Sequence, residues 1–149
     1  MNSAESGGRI VVGVDGSASS KAALVWAARY AAVTDSELNI VAAFHYPETY
    51  GWSISEPEMN LSAATTSMLV AAVDEVLHSQ SPITHNQVVT LGFAKTVLLE
   101  ASKDAALLVV GCRGQAAAQG QVIGSVSAYL AAHARCPVVV VHGPTDEHL

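Results

Sequence analysis

Short runs of apolar, mostly branched residues alternate along this chain with longer stretches rich in alanine and leucine, and that alternation leaves few folds open. Arg9 to Val14, Leu38 to Phe44, His85 to Leu91, Ala106 to Val110 and Pro137 to Val141 read as strands. Ser17 to Val33, Asn60 to His78, Ala94 to Lys103 and Ser125 to Ala134 carry helical spacing between them. Strands separated by helices return to one sheet by crossovers, which makes the sheet parallel and covers both its faces. The expected fold is therefore α/β: an open, doubly wound, Rossmann-like sheet of five parallel strands. Four consecutive valines (138–141) suit a strand covered on both faces, whereas the more polar His85 to Leu91 suits an edge. Ligands of such sheets bind at the C-terminal ends of the strands.

The chain's 149 residues make one domain with a real core, since 50% are hydrophobic and 13% charged. A net charge of −6 without a run of Lys or Arg excludes a protein that grips nucleic acid. No apolar stretch reaches the ~20 residues of a membrane span, and Met1 to Gly8 lacks a signal-peptide pattern, so cytoplasmic residence is expected. Residues 1–8 are expected to be disordered, 9–142 to form the domain and 143–149 a polar tail. Tyr46 to Glu58, with two prolines and a glycine, reads as a long loop. Cys112 and Cys136 suggest packing rather than a disulfide framework, and the six histidines show no ligand spacing, so no metal is expected.

Chemistry concentrates after the fourth strand. Gly111-Cys112-Arg113-Gly114 is followed, after nine intervening residues, by Gly124-Ser125 at a helix start. Glycines let backbone approach a bulky anion, and a helix N-terminus presents unpaired N–H groups with partial positive charge. Gly111 and Gly114 would admit phosphate, while Gly124, Ser125, Val126 and Ser127 would supply N–H groups and hydroxyls. Ser125 could equally be only a helix cap, and Arg113 could lie over a polyphosphate or in solvent. Residues 115–121 read as a flap. The motif lacks a Walker lysine, as Gly120 to Ser125 reads G-Q-V-I-G-S. Asp15, just past the first strand, could accept from a ribose hydroxyl or an exocyclic amine, or cap the next helix. No catalytic constellation is marked, so binding without efficient turnover is expected, with slow hydrolysis left open.

The glycine spacing, with Val126-Ser127, Cys136-Pro137-Val138-Val139-Val140-Val141 and the opening Ile10-Val11-Val12-Gly13-Val14-Asp15-Gly16-Ser17, resembles the nucleotide-binding branch of the universal stress protein family from Arg9 to His142. The resemblance implies strand order 3-2-1-4-5, which brings Asp15 and the Gly111 loop to one crevice. It implies ATP as ligand, with or without Mg2+, and an Asp15 contact to adenosine. It implies a homodimer through antiparallel pairing of Pro137 to Val141. Gly13 and Ala43 depart from the bulkier residues often found near adenine in the family. The base pocket is then looser, or filled by Val12, Val14 and Val41. An adenylating enzyme of the related α/β group is the alternative, although Val14-Asp15-Gly16-Ser17 lacks that group's fuller pyrophosphate loop. A nucleotide-free interaction module is a third reading, which the intact glycine spacing disfavours.

Overall fold

A computed structural model of the protein describes residues 8–46, 56–78, 82–112 and 123–143, with only the backbone of 56–59. Five strands, β1 (Arg9–Gly13), β2 (Glu37–Phe44), β3 (His85–Leu91), β4 (Leu107–Gly111) and β5 (Val138–Val141), form one sheet in the order β3-β2-β1-β4-β5. All four pairings are parallel. The helices are α1 (Ala18–Thr34), α2 (Glu56–Leu77), α3 (Ala94–Ala101) and α4 (Ser125–His133).

Strand alternation divides the core. Val12 and Val14 of the β1 segment and Ile40 and Ala42 of β2 pack under α1 and α2. Val11, Val41 and Val110 point the other way, onto Val97 and Leu98 of α3 and Leu130 of α4. Ala23, Ala27, Ala28 and Ala31 are fully buried, which explains the alanine-rich α1: small side chains bring its axis close to the sheet. Ser17 caps α1, its Oγ accepting from the Ser20 N–H at 3.2 Å.

Several boundaries differ from expectation, most by a single residue. Helix α2 begins at Glu56, four residues before Asn60, because Pro57 falls in the first helical turn, where its missing N–H costs nothing. Helix α3 stops at Ala101 rather than Lys103, where Ser102 ends the helix and Asp104 turns into the left-handed region (φ 64°). Gly111 belongs to β4, paired with Val141, and not to the loop. Gly8, placed with the disordered N-terminus, accepts a hydrogen bond from the Glu37 N–H at 3.1 Å. Residues 1–7, 47–55 and 144–149 lie outside the described residues, as does most of the expected loop and tail.

Candidate functional site at the ends of β1 and β4

Neighbouring strands β1 and β4 send the chain to opposite faces of the sheet, β1 into α1 and β4 towards α4. Such a divergence opens a crevice at their C-terminal ends. The two helix starts that flank it differ in their hydrogen bonding.

The α1 start is capped by side chains. Besides the Ser17 cap, Asp15 Oδ1 accepts from the Ser17 N–H at 2.9 Å and from Ser17 Oγ at 2.6 Å. Its own N–H donates to Ser20 Oγ at 3.2 Å. Asp15 is thus the acceptor of an Asx-type turn that orients the true cap, with Gly16 supplying the φ of 87° the turn needs. Its side chain is exposed at the crevice.

The α4 start is open. Gly124 occupies the cap position in extended conformation (φ −80°, ψ 169°), and among the described residues no side-chain cap bond is made there. The first intrahelical bond is donated by Ala128 to Gly124 O at 3.0 Å, so the N–H groups of Ser125, Val126 and Ser127 precede the ladder. Hydrogen bonds fix this end against the end of β4: Gly124 N–H donates to Cys112 O, and buried Ser127 donates its Oγ hydrogen to Gly111 O at 2.6 Å, with Cys112 O a longer second acceptor at 3.4 Å. The Ser127 hydroxyl therefore holds the helix in place, while the exposed Ser125 is free of the core. Rigidly placed donors at a helix N-terminus make an anion site.

Two glycines have reasons that the motif does not reveal. A Cβ at Gly111 would lie 2.6 Å from the backbone carbon of Ser19, on the α1 face. Its lack of a side chain seats α1 on the sheet. A Cβ at Gly13 would lie 2.7 Å from Leu98 Cδ1. Leu98 fills the room that Gly13 leaves, against the expectation of a looser space there. Val41 and Ala43 share that face with Leu98, but Val12 and Val14 point to the opposite one, a correction to the expectation that they fill the pocket. Arg113, Gly114 and the 115–121 flap lie outside the described residues.

The crevice has a wall on one side. Gly13 ends β1 opposite Val41, while β2 runs on through Ala42, Ala43 and Phe44, paired with Val89, Thr90 and Leu91 of β3. Three residues at ~3.3 Å each raise this wall about 10 Å above the end of β1. At its top the His45 and Phe93 rings meet, with centroids 4.4 Å apart. Neither residue belongs to the glycine motif, and no spacing in the sequence signals the pair.

Cys112 is buried and Cys136 half-buried, both as free thiols. Burial pushes the Cys136 thiol up, against smaller opposing effects of hydrogen bonds to its own backbone and to the Ser102 side chain. Among the described residues, no group of three or more His, Cys, Asp or Glu could hold a metal ion.

Comparison with known proteins follows the same outline. A sequence model of the Universal stress protein family matches residues 8–142. Universal stress protein Rv2623 of Mycobacterium tuberculosis is 33% identical over 150 residues, covering 95% of this chain and 50% of that protein. The chain spans about half the length of the curated relatives it matches. A solved universal stress protein in complex with cAMP is 27% identical at a TM-score of 0.61, covering 93% of this chain and 99% of the other. An Arabidopsis thaliana family protein with AMP bound shares the fold at 20% identity and a TM-score of 0.60, each chain covered to 94%.

Proposed function

This chain belongs to the universal stress protein family, and from that premise we propose that it binds ATP, with or without Mg2+, and acts in a cytoplasmic stress response through nucleotide-dependent dimer or partner contacts. The carrying observation is the contrast, across one crevice, between the α1 start, capped by a side chain, and the α4 start, whose Gly124 cap position makes no side-chain cap hydrogen bond. An anion avoids the Asp15 carboxylate and goes to the N–H groups of Ser125, Val126 and Ser127, joined in this reading by Gly114, Gly124 and Arg113. The adenosine then lies toward β1 and β2, with Asp15 at the ribose and Gly13 and Ala43 beneath the base. A solved relative in complex with cAMP supports an adenine nucleotide as the ligand class.

Capping of the α1 start also weighs against the adenylating-enzyme reading. A pyrophosphate loop after β1 needs unpaired donors at α1, and two of those near its start, the N–H groups of Ser17 and Ser20, are already taken by side chains.

Asp15→Asn keeps an oxygen acceptor for the Ser17 turn but removes the charge. It is expected to weaken ATP about tenfold, the equivalent of ~1.4 kcal/mol, and to leave inorganic tripolyphosphate unchanged in calorimetry. Equal losses for both would place Asp15 at the phosphates or in the fold alone.

Assembly is proposed through β5, which ends the sheet and whose valines are half-buried. An apolar edge with unpaired backbone groups suits antiparallel pairing across a two-fold axis. Val140→Pro, which removes an edge N–H, is expected to turn a dimer into a monomer by light scattering. A wild-type monomer at micromolar concentration would end this part of the proposal.

A further inference from the structure

Phe93 stands with 60% of its surface exposed, beside Leu91 at 58%. Its backbone is nonetheless fixed. Gly92, just before it, donates its N–H to Phe44 O at 2.7 Å, and Phe93 itself is the cap residue of α3. Gly92 has φ 147°, and a Cβ there would lie 2.9 Å from Val97 Cγ2, so the turn that presents Phe93 depends on glycine. The ring is backed by His45, which follows β2 directly.

Placement then narrows the role. Phe93 and His45 crown the β2–β3 wall, about 10 Å above the end of β1. Ala43 and Leu98 lie below on the α3/α4 face, the face that also carries the open end of α4. An anion held at Ser125 to Ser127 leaves the rest of a nucleotide to extend along this face toward the wall. The Phe93 ring stands at that height with the His45 ring tilted by 42° against it.

We propose that Phe93, supported by His45, is the specificity-determining residue of the base subsite, stacking on a purine ring. The inference rests on the nucleotide-binding reading above. Stacking is tolerant of hydrogen-bonding pattern but grows with the size of the π-face, so purine nucleotides are favoured over pyrimidine ones and the phosphates contribute nothing to the preference.

Calorimetry with ATP, CTP and inorganic tripolyphosphate tests this on the full chain and on Phe93→Ala and Phe93→Trp. Because Phe93 is exposed, Phe93→Ala is expected to fold as the wild type does, which a thermal melt checks. The expected result is a loss of fivefold or more for ATP in Phe93→Ala, a smaller loss for CTP and none for tripolyphosphate. Phe93→Trp should restore ATP affinity, with its indole emission quenched on binding. Wild-type binding of ATP with unchanged affinity in Phe93→Ala would overturn the stacking role and leave the nucleotide reading intact. Failure of the wild type to bind ATP, CTP or tripolyphosphate would overturn both.

Discussion

Ser125→Asp is expected to weaken ATP binding about a hundredfold while leaving the melting temperature unchanged or slightly higher. The two effects have opposite signs for one reason. Ser125 is the first residue of α4 and is exposed. A carboxylate there faces the positive end of the helix dipole, which favours the fold by roughly 0.3–1 kcal/mol. The same carboxylate stands where the phosphates are proposed to sit. At an effective dielectric constant of about 20, like charges 4 Å apart repel by ~4 kcal/mol, so a hundredfold loss is a modest expectation. Ser125→Ala removes only the hydroxyl and should cost ATP a few-fold. Calorimetry and a thermal melt on both variants check this; unchanged ATP affinity in Ser125→Asp would move the phosphates away from α4.

Gly111→Val should damage the fold rather than the site. Its Cβ would sit 2.6 Å from the Ser19 backbone carbon and 2.8 Å from the Ser19 carbonyl oxygen, and backbone cannot step aside as a side-chain end can. Gly143 is tied to the same place, as a Cβ on it would lie 2.7 Å from Ser19 Cα. Helix α1 would have to lift from the ends of β4 and β5, exposing part of a core that includes Leu24 and Ala27. Overpacking of this kind costs about 3 kcal/mol. For a domain of this size that corresponds to a fall of roughly 6–12 °C in melting temperature. Denaturation in urea gives the same quantity directly. Full stability with lost nucleotide binding would restore the phosphate-approach explanation of Gly111.

Gly111 also marks where reading the sequence reached its limit. Its spacing from Gly114 and Gly124 pointed to the C-terminal end of β4, because a strand, a glycine loop and a helix start are all local patterns. The reason for the glycine is not local: it lies at Ser19, ninety-two residues earlier in the chain. The five strands, their parallel pairing and their order were legible for a similar reason. Apolar runs and alanine-rich helices are written in consecutive residues, and the family pattern supplied the order. Leu98 against Gly13 and His45 against Phe93 were not legible, since each pair meets only through the sheet register that sets β2 beyond β1 and lays α3 across both. Asp15 was legible as a residue at the crevice but ambiguous in role. The structure shows it accepting from Ser17, which is itself the cap.

The central claim is that an adenine nucleotide binds with its phosphates on the open end of α4. Titration of ATP into isotopically labelled protein, followed through backbone amide resonances, tests it most directly. The amides of Ser125, Val126 and Ser127 are predicted to shift most and saturably, with those of Asp15 to Ser17 and of Ala43 to His45 moving in step. Shifts confined to the opposite face, around Trp26 and Tyr30 of α1, or none at millimolar ATP, would contradict it.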